Sequence, residues 1–116
     1  MRHRGEPAEA LAAAFLQQNG LQLVARNYRC RFGEIDLIAR DGTTLVFVEV
    51  RMRASHEFGG AAASITAAKR AKLSRAARHY LTALRAAPAC RFDAVLIAGN
   101  NTVEWIKNAF EESTAS

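Results

Sequence analysis

Two cysteines, Cys30 and Cys90, are all that this 116-residue chain carries, and it has no CxxC pair and no Cys/His cluster. A structural zinc centre draws four such ligands at short spacing, so that class is set aside, and the two thiols read as reduced and partly buried rather than bridged. A long apolar run is missing too, since no stretch approaches the roughly 20 residues that span a bilayer. The opening MRHRGEPAEA has two arginines but no apolar segment behind them, and LAAAFLQQNG is too short and too polar at its end for a secretory signal. The expected location is therefore the cytoplasm, with no membrane as partner. Internal repeats, linkers and low-complexity tracts are also lacking.

What is present is enough apolar matter to fold. Half the residues are hydrophobic, and the length suits one domain over residues 1–116, ordered from about 4 to 110 with a frayed tail. The net charge is +5 and the isoelectric point about 9.9, which suits an anionic partner, nucleic acid foremost.

Periodicity gives the elements. Residues 8–18 read as an amphipathic helix, with Leu11 and Phe15 on its apolar face, Pro7 in the first turn and Asn19-Gly20 as its stop; Glu6 then falls before the helix. LQLVARNYRCRF is a strand ending near Arg31, GEIDLIAR a second, and LVFVEVRMR a third whose apolar first half suits the centre of a sheet. Asp41-Gly42 marks the hairpin turn between the last two. After a loop, Ser64 caps a long helix running to Ala86 or Ala87, with Pro88 beyond. RFDAVLIAG is a fourth strand, and TVEWIKNAF a short last strand or extended tail with Trp105 in the core. The expected fold is α/β, a mixed central sheet flanked by helices in the order α-β-β-β-α-β-(β).

Carboxylates interrupt the most strand-like stretch, GEIDLIARDGTTLVFVEVRMR. Strict alternation puts Glu34, Asp36 and Ile38 on one face of the second strand, and Leu45, Phe47, Glu49, Arg51 and Arg53 on one face of the third. Counting from the turn sets Asp36 and Glu49 at similar heights, so both reach one small volume. Two carboxylates in a partly buried site repel each other, and a divalent cation relieves the conflict. Mg²⁺ prefers one or two carboxylates plus waters and a substrate phosphate. Spacing alone leaves a second reading open, in which Asp36 and Glu49 form ion pairs with Arg51, Arg53 or a helix residue; Glu34, nearer solvent, reads as structural.

RNYRCRFGEIDLIARDGTTLVFVEVRMR resembles the signature of the YraN-like family of small bacterial proteins, and AEALAAAFLQQNG, KRAKLSRAARHYL, RFDAVLI and WIKNAF resemble that family's other segments, over about residues 4 to 110. That family in turn resembles the restriction-endonuclease-like fold and the PD-(D/E)XK nucleases, Holliday-junction resolvase-like members in particular. The resemblance implies a metal-dependent endonuclease acting on DNA, branched or single-stranded, with Mg or Mn held by Asp36 and Glu49. It adds Glu9 of the first helix as a third ligand, and extends to a homodimer. The (D/E)XK tripeptide falls on Glu49-Val50-Arg51, so Arg51 stands where the pattern has lysine. A guanidinium grips phosphate but does not give up its proton.

Either activity is lost or weakened, or the metal-bound water needs no lysine, or another lysine takes the role, and for the last the second helix offers a candidate. Ile65, Lys69, Leu73, Ala76, Tyr80 and Leu84 form one stripe at helical spacing, so Lys69 lies within an apolar face. There it either snorkels to solvent or reaches toward Glu49. Arg70, Lys72, Arg75 and Arg78 read as an outer, solvated face, and His79 as a surface residue. His56, Phe58 and Gly59-Gly60 lie in the loop after the third strand, placed to meet a bound strand or simply to anchor and hinge the loop. Three functional readings remain: the nuclease; a nucleic-acid-binding protein that has lost cleavage, with Arg51 gripping phosphate; and a partner-binding protein whose acids are ion pairs.

Overall fold

The computed structural model describes residues 6–52 and 65–111. The expected roles of Arg53, His56, Phe58, Gly59-Gly60 and Ser64 lie outside the described residues.

Helix α1 (Glu6–Gln18) opens two residues earlier than its apolar pattern, so Glu6 is its first residue and not a residue before it. Pro7 is tolerated there because the first amides of a helix have no partner within it. Its end is chemically explicit. Gly20 adopts φ 96, its amide donates to the Gln17 carbonyl at 3.1 Å, and the Leu21 amide donates to the Leu16 carbonyl at 3.0 Å. That is a Schellman stop, and the buried Leu16 and Leu21 side chains supply its apolar contact.

Five strands follow: β1 (Gln22–Cys30), β2 (Gly33–Asp41), β3 (Thr44–Met52), β4 (Cys90–Ile97) and β5 (Val103–Phe110), with α2 (Ala67–Leu81) between β3 and β4. They form one sheet in the order β1-β2-β3-β4-β5, in which only β3 and β4 run parallel. The β2–β3 hairpin closes Asp41 against Thr44 around Gly42 and Thr43, with Gly42 at φ 63. A positive φ at the first central residue favours glycine and matches the twist of the strands. The element order agrees with the pattern read from the sequence, and the C-terminal segment is a full edge strand rather than an irregular tail. Among the described residues no helix is long and apolar enough to cross a membrane.

Each face of the sheet has its own helix. Ala8, Ala12, Ala13 and Leu16 of α1 pack on Leu37, Val46, Val48, Val95 and Ile97. Leu73, Ala76 and Ala77 of α2 pack on Ile35, Ile38, Leu45, Phe47 and Phe92. Strand β3 is therefore covered on both sides, which explains its unbroken run of apolar residues. Helix α2 is shorter than its stripe. It begins after Thr66, whose hydroxyl oxygen accepts the Lys69 amide hydrogen at 3.2 Å, and it ends at Thr82, several residues before Pro88. Leu84 consequently falls beyond it and is exposed. Both cysteines are free, and Cys90 is exposed rather than partly buried.

The alternation expected of β2 fails at one place. Ile35 and Ile38, three positions apart, both join the α2-side cluster, while Leu37 joins the α1 side. Across the ladder Ala25 and Tyr28, also three apart, sit on the α2 side. Between them Asn27 adopts φ 55, a left-handed conformation that asparagine tolerates better than most residues. Both strands thus change phase at one level, and Asp36 sits at that level.

Candidate functional site

Strands β2 and β3 are paired from Asp41↔Thr44 to Leu37↔Val48. Beyond Val48 a side chain takes over, because the Val50 amide donates to Asp36 Oδ2 at 2.8 Å. The carboxylate thereby stands in for a ladder carbonyl where the strands part. Glu49 continues the regular alternation of β3 onto the α2 side and is 4 % exposed. Glu9, on the buried face of α1, is 3 % exposed. These three acids, from three elements, line one cavity of about 220 Å³ together with Glu34, Arg51 and Lys69. The structure thus brings together all five residues singled out from the sequence.

Two cations meet Glu49. Lys69 Nζ lies 3.1 Å from its Oε2, and Arg51 Nη1 lies 3.6 Å from the same oxygen. Lys69 keeps 45 % of its side chain exposed and still reaches the carboxylate, so of the two courses read for it the structure takes the reach toward Glu49. It can do so because Thr66 starts the helix beside the end of β3, and Lys69 is the residue whose amide that cap holds. Glu34 stays at the rim, exposed and paired with Arg29 at 3.0 Å.

The electrostatics are those of crowded acids. Burial, partly offset by the Val50 amide and reinforced by the neighbouring Glu9 and Glu34 charges, pushes the Asp36 carboxyl up to about 6. Burial also raises Glu49, as does the Asp36 charge, while Lys69 and Arg51 pull it back. Glu9 Oε1 is buried without a hydrogen-bond partner. A buried acceptor left unpaired and carboxyls held above their ordinary range describe a site short of positive charge. The donors are all hard carboxylate oxygens, which suit Mg²⁺ or Mn²⁺. Among the described residues no three His, Cys, Asp or Glu side chains are gathered closely enough to close a metal's shell. Two carboxylates with water completing the shell is the arrangement that Mg²⁺ commonly adopts. By these tests the residues fit such an ion, with Asp36 and Glu49 as its holders and Glu9 beside them.

A further carboxylate escaped sequence reasoning. Asp93 of β4 is fully buried and accepts from Arg91 Nε at 3.0 Å, Trp105 Nε1 at 2.9 Å and the Asn108 amide at 2.8 Å. Arg91 Nη1 in turn meets Asp41 Oδ2 at 3.0 Å. The β4–β5 register shifts between Phe92 and Ala94, and Asn108, at φ 55, lies in the bulged segment of β5. Asp93 therefore satisfies the amide that the bulge leaves unpaired. Trp105, half-buried, packs edge-on against Phe15 of α1. The signal available in the sequence was an aspartate inside the otherwise apolar run RFDAVLI.

Fold and site together define a mixed α/β protein with an acidic cleft where its central hairpin opens. The model of uncharacterised protein family UPF0102 matches residues 8–97. A UPF0102 protein of Nitrosomonas europaea is 65 % identical over 113 residues, with 96 % of each chain covered. One from Methylobacillus flagellatus is 56 % identical, covering 95 % of this chain and 98 % of its own, and one from Psychromonas ingrahamii is 51 % identical, covering 94 % and 90 %. The chain belongs to the UPF0102 family, the YraN-like proteins.

Proposed function

We propose that this protein is a metal-dependent nuclease that hydrolyses phosphodiester bonds in nucleic acid, DNA by its resemblance to the PD-(D/E)XK enzymes. The observation that carries the reading is the convergence of Asp36, Glu49 and Glu9 on one cavity, with Lys69 Nζ 3.1 Å from Glu49 Oε2. An ion-pair network alone accounts for Glu49, but not for Asp36 with no cation in contact among the described residues, nor for the orphaned Glu9 Oε1.

Asp36 and Glu49 would hold the divalent cation, with Glu9 beside them in the same cavity. Such an ion, when bound, acidifies a water and offsets charge on the scissile phosphate. Arg51, at the mouth of the cavity, binds a phosphate oxygen with a charge that never titrates. Lys69 is the cation able to exchange a proton: once it has released one to solvent at the open cavity, its neutral Nζ, beside Glu49, orients the attacking water and takes up that water's proton as the oxygen–phosphorus bond forms. The bond to the leaving oxygen then breaks, and solvent at the open cavity protonates that oxygen. The net charge of +5 steers a polyanion toward the protein at low salt.

The test is cleavage of labelled duplex, flap, single-stranded and four-way-junction DNA with Mg²⁺, Mn²⁺ or EDTA, with Asp36→Asn alongside. Metal-dependent cutting lost in the variant is the expected result. Salt-sensitive binding with no cutting in any metal would overturn the nuclease and leave a binding protein in which Arg51 grips phosphate.

A further inference from the structure

The acidic cavity has a neighbour. Gly33, Thr66, Ala68, Lys69, Lys72 and Leu73 wall a second cavity, of about 400 Å³, between the start of β2 and the first turns of α2. Glu34 and Lys69 line both, so the two spaces adjoin.

The walls of this second space differ from those of the first. Leu73, 4 % exposed, and the Ala68 methyl give an apolar surface. Lys72 is exposed and has no ion pair among the described residues. The Thr66 hydroxyl oxygen is used by the Lys69 amide, which leaves its hydrogen to donate. Glu34 meets Arg29 through Oε1, leaving its other oxygen as an acceptor. Gly33 lines the same space. Its φ of 146 is one that side chains rarely adopt, and a Cβ there would stand 3.6 Å from Lys72 Cβ, at the cavity wall. A cation with no ion pair among the described residues, an apolar surface, one donor and one acceptor are the complement of a nucleoside monophosphate. The volume is in the range of single small-molecule sites and far short of a double helix.

We propose that this cavity seats one unpaired nucleotide, the immediate neighbour of the phosphate bound at Asp36 and Glu49, with Lys72 on its phosphate and its base over Leu73 and Ala68. The inference rests on the nuclease reading and deepens it. The substrate is a strand with an unpaired nucleotide beside the cut, as in a flap, a gap or a single strand, and a continuous duplex is excluded.

The test is a titration of nitrogen-labelled full-length protein in EDTA with nucleoside 5′-monophosphates, and separately with inorganic phosphate, read by amide chemical shifts. Saturable shifts at Gly33, Ala68 and Leu73 are expected, with mononucleotides binding at least tenfold more tightly than phosphate. Lys72→Glu should weaken that binding at least tenfold, and Ala68→Leu, which fills the cavity from an exposed helical position, should do the same while shifts elsewhere stay unchanged. Equal binding of phosphate alone, or shifts confined to other surfaces, would overturn the assignment. The two readings fail separately. Oligonucleotides cut with metal while mononucleotides leave these amides unmoved would sink the subsite and spare the nuclease. Mononucleotides seated at these amides, with no strand cut, would sink the nuclease and spare the subsite.

Discussion

Asp36 Oδ2 accepts the Val50 amide hydrogen at 2.8 Å, so the carboxylate most central to the cleft also holds the fork between β2 and β3. One side chain both shapes the cleft and charges it. The structural half of that task needs only an acceptor, and the chemical half needs the negative charge. Substitutions that remove one and keep the other therefore separate the two.

Asp36→Asn keeps an acceptor for Val50 and deletes the charge. The folded Asp36 keeps its proton up to about pH 6, whereas its ordinary value is 3.8. Between those values the folded state binds more protons than the unfolded one, so this group's contribution to stability falls as pH rises. Above pH 6 the whole penalty is present, with a ceiling of about 3 kcal/mol at 1.36 kcal/mol per pKa unit. Asp36→Asn should accordingly raise the melting temperature of the metal-free protein at pH 7.5 and lose that advantage by pH 4. Thermal unfolding at the two pH values checks it, and an equal or lower melting temperature at pH 7.5 would show that the acids are already compensated.

If crowding of Asp36, Glu49 and Glu9 is the cost, a bound cation is the remedy. Mg²⁺ or Mn²⁺ at one hundred times its dissociation constant should stabilise the wild type by about 2.7 kcal/mol through mass action. Asp36→Asn and Glu49→Gln should lose most of that gain. Calorimetric melts in each metal, against Ca²⁺ and EDTA, measure it without relying on cleavage. An identical metal response in all three proteins would place the ion elsewhere.

Most of this architecture was legible in the sequence because local chemistry agreed with the global fold. Asn19-Gly20, Asp41-Gly42 and the apolar run of β3 each have one cheap conformation, and the chain adopts it. Asp36 and Glu49 were legible because hairpin counting fixes their level, and the register confirms it up to Leu37↔Val48. The phase change around Asn27 and Asp36 was not, since strict alternation gives no hint of a left-handed residue on the facing strand. Nor was the end of α2, because Leu84 continues the apolar spacing after the helix has stopped at Thr82. Asp93 was missed for a related reason. Its partners Trp105 and Asn108 lie on another strand, and their meeting depends on a bulge that periodicity cannot see.

Lys69 and Arg51 converge on one oxygen of Glu49, which makes them separable by exchange. Lys69→Met should slow cleavage by about two to four orders of magnitude, the usual worth of a positioned proton carrier. Arg51→Lys alone should retain activity, and in the Lys69→Met background it should restore part of the lost rate by supplying an amine from β3. The pH–rate profile of the double variant should differ from that of the wild type, because the amine then sits in different surroundings. Full activity in Lys69→Met would remove Lys69 from the chemistry and leave it a partner of Glu49 only.

Asp93 gives the opposite contrast, a buried carboxylate whose oxygens are fully engaged. Asp93→Ala would strand the Trp105 indole, the Asn108 amide and the Arg91 guanidinium, the last retaining only Asp41. Breaking a buried charged network on one side costs about 3–5 kcal/mol, a large share of a small domain's stability. Denaturant unfolding should show that loss, with Asp93→Asn recovering part of it because an amide oxygen still accepts from Asn108. Metal-dependent stabilisation should persist in whatever fraction of Asp93→Asn folds, since Asp93 does not line the acidic cavity. A variant that kept wild-type stability but lost its metal response would instead join Asp93 to the cleft and overturn the separation between the carboxylate that holds the sheet edge and those that face substrate.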